Sequence, residues 1–294
     1  MLLIVASILV LMFLNLVLGS VSIPLKSVWN IICGLGDEPV TWQNIVWKSR
    51  LPQALTALVA GAGLAISGLQ MQTVFRNPLA GPSVLGISSG ASMGVAFVVL
   101  LSGSLGGVAL SKLGFMGEIA LSIAAVIGSL SVMALIVYVS QKVKGNVTLL
   151  IIGVMIGYVA NAVIGVLKFF SVEEDIRAYV IWGLGSFSRV SGNQMMLFVA
   201  IMAILIPLSF LLIKTLNLML LGDGYARNLG LNIKRARLLV ITSAGVLTAI
   251  VTAYCGPVIF LGLAVPHLCR AIFQTSDHRV LMPAVLFAGA ALAL

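Results

Sequence analysis

The sequence has very little charge. Only 9% of its 294 residues are Asp, Glu, Lys or Arg, whereas 61% are hydrophobic. Soluble domains carry about 25% charged residues, and a chain with so few cannot cover a water-facing surface. The composition therefore excludes a soluble globular domain. It predicts a single all-α polytopic membrane domain over residues 1–294, embedded in the lipid bilayer.

Motifs for nucleotide, metal and nucleic-acid chemistry are also absent. The sequence has no Gly-Lys dipeptide, which excludes a P-loop for ATP phosphates, and it has no HExxH zinc motif. Its three cysteines form no CxxC pair, which indicates apolar packing and no zinc site. The net charge of +9 forms no dense basic run with interleaved aromatic residues, so we expect no nucleic-acid partner. We expect no catalytic residue, no metal site and no cofactor.

Nine apolar runs predict membrane-spanning helices, because in lipid a helix satisfies its own backbone hydrogen bonds. The predicted spans are Leu2–Gly19, Leu51–Val74, Val84–Ser102, Gly117–Ser140, Val147–Phe170, Gln194–Ile213, Leu238–Cys255, Pro257–Phe273 and Val280–Leu294. The apolar N-terminus lacks the basic region of a signal peptide and is interpreted as an uncleaved first span. The last run is too short to cross comfortably. We therefore expect a tenth span to be missing at the C-terminus.

Acidic residues are absent from the middle of every predicted span. A carrier driven by an ion gradient usually keeps an intramembrane carboxylate for the driving ion. The pattern therefore argues against a secondary transporter, which is the main alternative, and indicates an external source of energy. A membrane enzyme using Ser67 and His267 is a second alternative, although helix packing explains both residues more simply. Ten of the 17 basic residues fall in loops that are cytoplasmic if the N-terminus is inside, as the positive-inside rule requires.

The second predicted span carries small residues on one face and two amides near its end. Gly61, Ala65 and Gly68 form a smooth stripe that favours close approach by another helix. Gln70 and Gln72 are costly in lipid. They indicate either a side that faces a cavity or plain packing, and the sequence leaves both open.

Proline and charge mark two segments at the predicted inner face. Pro78 and Pro82 forbid a continuous helix and predict a rigid turn, which is either a constriction or a plain loop. A later segment, residues 214–237, is long and hydrophilic. Apolar residues recur there at helical spacing at Leu218, Leu221, Tyr225 and Leu229. This spacing predicts a short amphipathic helix that lies on lipid headgroups or docks into a groove of another protein.

A fourth segment places polar residues at one membrane face. These residues are Pro266, His267, Asp277, His278 and Arg279. Their clustering indicates a role in an interaction.

Together these segments resemble the permeases of ATP-binding-cassette importers for iron-siderophores, haem and cobalamin (FecCD-like, type II importers). The resemblance extends from about Arg50 to Ala293, and the runs GPVIFLGLAVPH and SDHR carry it most clearly. Such permeases are homodimers with ten spans per subunit in the cytoplasmic membrane of prokaryotes. They receive ligand from an extracytoplasmic substrate-binding protein and rest on two cytoplasmic ATP-binding subunits. The resemblance implies the same partners here, with an iron chelate or cobalamin as the ligand and ATP hydrolysis in the partner chains.

The resemblance also implies roles for individual residues. The outer docking site for the binding protein corresponds to Lys48, Arg50 and Gln53, with Gln53 in place of a second arginine of the family. The cytoplasmic gate corresponds to Asn77, Pro78, Leu79, Asn146, Val147 and Thr148. The coupling helix that contacts the ATPase corresponds to Gly222, Asp223, Tyr225, Ala226, Arg227, Leu229 and Gly230. We expect ATP binding to move this helix and so to open the outer mouth and the inner turn alternately.

Overall fold

A computed structural model describes residues 2–35, 38–104, 115–143, 145–190 and 192–294. Regular structure within these ranges is helical. The α-helices are α1 (Leu2–Val17), α2 (Leu25–Cys33), α3 (Val40–Ile45), α4 (Leu51–Phe75), α5 (Ile87–Ser104), α6 (Phe115–Lys142), α7 (Asn146–Phe169), α8 (Glu173–Gly183), α9 (Gly192–Phe210), α10 (Ile213–Leu220), α11 (Asp223–Asn228), α12 (Ile233–Cys255), α13 (Leu261–Phe273) and α14 (His278–Ala293). A π-helical stretch covers Val46–Arg50, and 3₁₀ turns cover Pro82–Leu85 and Phe187–Arg189.

Every predicted apolar run falls on one of these helices, which confirms the prediction of an all-α polytopic membrane protein. Within the described residues, five helices are long and apolar enough to cross a membrane. They are Val40–Phe75, Met116–Lys142, Val147–Phe169, Gly192–Phe210 and Ile233–Cys255. Four further apolar helices, α1, α5, α13 and α14, are shorter.

The helix that contains the second predicted span begins well before the predicted position. The sequence predicted a start at Leu51, but the helix runs without a break from Val40 to Phe75. It passes through the π-helical stretch Val46–Arg50 immediately before Pro52. A π turn shifts the register of the backbone hydrogen bonds, and this shift accommodates a proline that has no N–H to donate.

Two amphipathic helices lie where the sequence predicted only loops. The first, α2, buries Val28 and Ile31, and the second, α8, buries Tyr179 and Trp182. Three acidic residues occupy the first turn of α8, where negative charge is favoured by the helix dipole. Both helices are too short and too polar to produce a span signal, so the search for apolar runs missed them.

Helix α4 lies at the centre of the molecule. The most apolar window of its long helix is 83% buried inside the protein, against 33%, 28% and 17% for those of α6, α7 and α9. It packs against α12, α13 and α14. The remaining faces of α6, α7 and α9 are left for lipid or for another subunit.

The small residues of α4 make this central position possible. A Cβ added at Gly68 would lie 1.6 Å from the carbonyl oxygen of Gly262 in α13. A Cβ added at Gly61 would lie 2.2 Å from the carbonyl oxygen of Gly289 in α14. The predicted stripe of small residues is therefore confirmed, because the backbones meet where side chains are absent.

Candidate functional site

Residues 213–230, here called the coupling segment, fold as two helices instead of the single predicted one. The first is α10 and the second is α11, and Gly222 separates them with φ at +98°. A left-handed backbone at this position favours glycine and ends a right-handed helix. The prediction of one continuous amphipathic helix was therefore wrong at Gly222.

The apolar residues of the coupling segment point in two directions. Leu216, Met219 and Ala226 are buried against the rest of the protein. Tyr225 and Leu229, which the sequence placed on the apolar stripe, are 74% and 61% exposed. The inward face is thus set by different residues from those predicted. The exposed pair forms an apolar patch on the surface of the protein, and such patches mark contact surfaces.

An ion pair connects the coupling segment to the end of α4. The carboxylate of Asp223 accepts a hydrogen bond from the guanidinium of Arg76, and Arg237 of α12 lies 3.5 Å from its other oxygen. Arg76 caps the C-terminus of α4 with φ at +48° and directly precedes the predicted gate turn. The side chains of Arg76 and Asp223 are each 44% exposed. The sequence indicated no specific role for Arg76 or Arg237.

A second connection is built around the amide of Asn217 in α10. Its Nδ2 donates to Oδ1 of Asp277 over 2.6 Å. Its Oδ1 lies 2.9 Å from the backbone nitrogen of His278 and 2.7 Å from Nδ1 of the same residue. Because this oxygen is an acceptor, the Nδ1 of His278 carries a proton. One side chain thus makes three hydrogen bonds to the start of α14.

The imidazole of His278 extends this connection to α4. Its Nε2 lies 2.8 Å from the hydroxyl oxygen of Thr73. That hydroxyl also lies 2.9 Å from the carbonyl oxygen of Leu69, one turn earlier in α4, so its single hydrogen serves one of the two acceptors. His278 and Thr73 are only 1% and 2% exposed. A path of hydrogen-bonding groups therefore runs from α10 through α14 into α4, half-buried at Asn217 and buried at His278 and Thr73.

Asp277 holds the start of α14 in place. Its side chain accepts the backbone N–H of Arg279 over 2.9 Å, which caps the helix. This hydrogen bond, together with that from Asn217, holds the pKa of Asp277 below its ordinary value of 3.8. The carboxylate is thus ionised where it supports the cap. The structure brings Asp277 and His278 together, but Pro266 is buried within α13 and the exposed His267 makes no contact with this network in the described residues.

The predicted non-helical turn at the inner face is present. The backbone nitrogen of Leu79 donates to the side-chain oxygen of Asn77 over 2.9 Å, which closes a tight turn around Pro78. The next segment, Pro82–Leu85, packs on α7, where a Cβ at Gly153 would lie 2.8 Å from the Cα of Leu85.

The second predicted gate segment forms the first turn of α7. This turn contains Asn146, Val147 and Thr148. Val147 is 69% exposed and Leu79 of the first segment is 67% exposed. The first gate segment thus precedes an element that packs on α7, the second lies in the first turn of α7, and each presents an exposed side chain.

At the opposite end of α4, Arg50 faces inward. It is 5% exposed and donates to the carbonyl oxygens of Leu16 over 2.8 Å, of Val17 over 2.7 Å and of Val21. The carbonyls of Leu16 and Val17 belong to the last turn of α1, and a helix C-terminus attracts a cation. Burial gives Arg50 an anchoring role within the protein. The two other predicted docking residues differ, since Lys48 is exposed and Gln53 lines an open cavity of about 580 Å³.

The remaining polar residues of α4 serve helix packing. Ser67 is buried 2.8 Å from the carbonyl oxygen of Ala244 and 2.7 Å from the hydroxyl of Thr248, so it joins α4 to α12. Gln72 bonds to the backbone and to a side chain of α13. Gln70 is fully buried and has no hydrogen-bond partner among the described residues. Both amides thus lie inside the helix bundle, which favours the packing interpretation. No cluster of three metal-ligating side chains occurs in the part of the chain that the structure describes.

Known proteins are similar to this chain along nearly its whole length. Residues 7–294 match the FecCD transport family. The hemin transport system permease protein HmuU of Yersinia pestis is 34% identical over 279 residues, which cover 94% of this chain and 79% of that protein. The vitamin B12 import system permease protein BtuC of Klebsiella pneumoniae subsp. pneumoniae is 36% identical over 248 residues, covering 84% and 71% respectively. The inward-facing structure of a metal-chelate type ABC transporter matches with a TM-score of 0.82 at 27% identity, over 99% of this chain and 86% of that one. The chain belongs to the FecCD transport family.

Proposed function

We propose that this protein is the permease subunit of an ATP-binding-cassette importer that carries a metal chelate across the cytoplasmic membrane of a prokaryote. The ligand is haem, a ferric siderophore or cobalamin. The relatives are named for hemin and vitamin B12 transport, and the structural neighbour is a metal-chelate transporter. Energy comes from two separate ATP-binding subunits, and a binding protein delivers the ligand from outside.

The membrane arrangement follows from the helices. The five long apolar helices and the four shorter ones provide nine crossings in this chain. A helix of 16 residues such as α1 is about 24 Å long, somewhat less than the roughly 30 Å hydrocarbon core, so its ends approach the headgroups. Two copies of the chain pair through faces that α6, α7 and α9 leave uncovered. The ligand passes between the copies.

The observation that carries the proposal is the exposed patch of the coupling segment. Tyr225 and Leu229 project from the coupling segment, which is held to α4 by the ion pair of Asp223 and to α14 by the hydrogen bonds of Asn217. An exposed aromatic residue beside the exposed Arg227 is typical of an anchor for a protein groove. We assign this patch, with Gly222, Asp223, Ala226 and Gly230, to the contact with the ATP-binding subunit.

The two ends of α4 supply the other contacts of the transport cycle. At the outer end, Lys48 and Gln53 contact the binding protein, while Arg50 holds α1 against α4 and keeps this surface in shape. At the inner end, Asn77, Pro78 and Leu79 form one side of the gate. The first turn of α7 forms the other side.

Reconstitution tests this proposal directly. The protein, its ATP-binding subunits and its binding protein are placed in liposomes, and uptake of haem, ferric siderophore and cobalamin is measured with and without ATP. We expect ATP-dependent uptake of one of these ligands, and no uphill uptake by the permease alone. Uphill uptake driven by an ion gradient without ATP would refute the proposal.

The docking surface has its own test. Reversing the charge of the exposed Arg227 with Arg227→Glu should abolish the ATPase activity that the permease stimulates, because the substitution changes the docking surface without disturbing a buried group. Lys142→Glu is the matched control, since Lys142 ends α6 outside the coupling segment. Equal stimulation by both variants would contradict the assignment.

A further inference from the structure

The coupling segment is attached to α4 at two points that are one helical turn apart. Asp223 pairs with Arg76, and Asn217 reaches Thr73 through His278. Thr73 and Arg76 are three positions apart at the end of α4, and Arg76 directly precedes the turn at Asn77. Any displacement of the coupling segment therefore acts on the part of α4 that leads into the turn.

The two attachments differ in strength. Arg76 and Asp223 are each 44% exposed, so water and salt weaken their attraction. His278 and Thr73 are almost completely buried, whereas Asn217 is half-buried and Asp277 is exposed. Separating His278 from Thr73 would leave polar groups without water, which is costly. The contact between His278 and Thr73 is therefore the part of the path that resists separation.

The path also fixes the orientation of the Asn217 side chain. The amide of Asn217 donates at one end and accepts twice at the other, so it cannot rotate without losing all three bonds. Two of its partners, Asp277 and the backbone nitrogen of His278, belong to the first turn of α14. Because Asp277 also caps α14, the segment around Asn217 and the start of α14 move as one unit.

We propose that Asn217, His278 and Thr73 form a clasp that transmits movement of the docked coupling segment to the gate end of α4. The inference rests on the proposed function, because it assigns the clasp to the coupling of ATP hydrolysis to transport. Asn217 and Thr73 act as positioning residues and touch neither ATP nor ligand. Without the clasp, the ATP-binding subunits still dock on the patch of Tyr225 and Leu229, but their movement no longer reaches the turn at Asn77.

The test measures ATP hydrolysed per ligand transported in liposomes that contain the permease, its ATP-binding subunits and its binding protein. Thr73→Val keeps the shape of the side chain and removes the hydroxyl, whereas Thr73→Ser keeps the hydroxyl. Thr56→Val is the matched control, because Thr56 is a buried threonine of the same helix whose hydroxyl has no partner among the described residues. We expect Thr73→Val to lower transport roughly tenfold while stimulated ATPase activity stays within about twofold, as loss of one buried hydrogen bond predicts. Thr73→Ser and Thr56→Val should transport like the unmodified protein.

A second variant tests the other end of the clasp. Asn217→Leu removes the amide at similar volume and should raise the same ratio of hydrolysis to transport. The double variant Asn217→Leu with Thr73→Val should be no worse than either single one, because residues on one path are not additive. A normal ratio in Thr73→Val overturns the clasp, and so does parallel loss of hydrolysis and transport, which indicates a purely structural role. Failure of the unmodified complex to transport with ATP instead overturns the proposed function.

Discussion

The contact between α4 and α13 restricts residue 68 to glycine. A Cβ added at Gly68 would lie 1.6 Å from the carbonyl oxygen of Gly262 and 2.4 Å from its carbonyl carbon. Ordinary van der Waals contact begins at 3.4 Å, so Gly68→Ala requires the two helices to separate by about 2 Å. Both obstructing atoms are backbone atoms, so no side-chain rotation relieves the overlap.

The expected loss of stability follows from two opposing effects. Alanine favours a helix over glycine by about 1 kcal/mol, whereas overpacking a close contact costs about 1–3 kcal/mol and more where a backbone must move. Because the obstructing atoms belong to the backbone, Gly68→Ala should destabilise the protein by about 2 kcal/mol or more. Gly63→Ala in the same helix is the matched control. Its added Cβ would meet only the mobile end of Met202 within 3.4 Å, and that methyl group can turn away.

Thermal unfolding in detergent, followed by tryptophan fluorescence, distinguishes the two variants. A change of 1 kcal/mol shifts the midpoint of a large domain by about 2–4 °C, so Gly68→Ala should unfold several degrees below the unmodified protein. Gly63→Ala should unfold close to it. If the two variants unfold at the same temperature, the helices are not in the close contact described here.

Three further predictions concern charged groups that hold helix ends. Arg50→Met leaves the carbonyls at the end of α1 without a partner and should lower stability by roughly 2–4 kcal/mol in the same assay, whereas Lys48→Met on the exposed side should change it by less than about 0.5 kcal/mol. Asp223→Asn should change stability by less than about 1 kcal/mol, and 1 M salt should remove the difference, because the ion pair is half exposed. The pKa of Asp277 is lowered chiefly by the backbone N–H of Arg279, so its stabilisation of α14 is present above pH 3.8 and is lost as pH falls through the lower folded-state value. The protection of amides in the first turn of α14, measured against their intrinsic exchange rates, should therefore fall as the pH drops below 3.8.

Sequence reasoning located the membrane helices because their signal is strong and local. An apolar run such as Val147–Phe170 has few structural alternatives in lipid, and α7 spans Asn146–Phe169. It was weakest for short amphipathic helices. The residues of α8 are too polar for a span signal, and the early start of the helix Val40–Phe75 depends on a π-helical stretch that no residue pattern predicts.

The candidate site was only partly predictable for a related reason. Tyr225 and Leu229 stood out because they share a spacing within one segment, and both are exposed in the structure. The clasp joins residues that lie far apart in the chain, since Thr73 and His278 are separated by about 200 residues. A polar residue inside an apolar run, as Asn217 is between Leu216 and Leu218, was the one local sign of it. Arg50 shows a different limit of sequence reasoning. The resemblance assigned this charged residue to a surface contact, but three carbonyl oxygens of the preceding segment hold its side chain inside the protein.

Helix α4 links these observations into one mechanical element. Its 25 residues span about 38 Å, which exceeds the hydrocarbon core of the membrane. The glycine contacts at Gly61 and Gly68 leave no room for α13 or α14 to slide independently, since close-packed interiors transmit displacement. A movement imposed at Thr73 is therefore expected to reach the outer end at Arg50 as a shift of the whole helix. Rigid close packing in the middle and polar attachments at both ends are what a helix needs if ATP binding on one side of the membrane is to change the opening on the other.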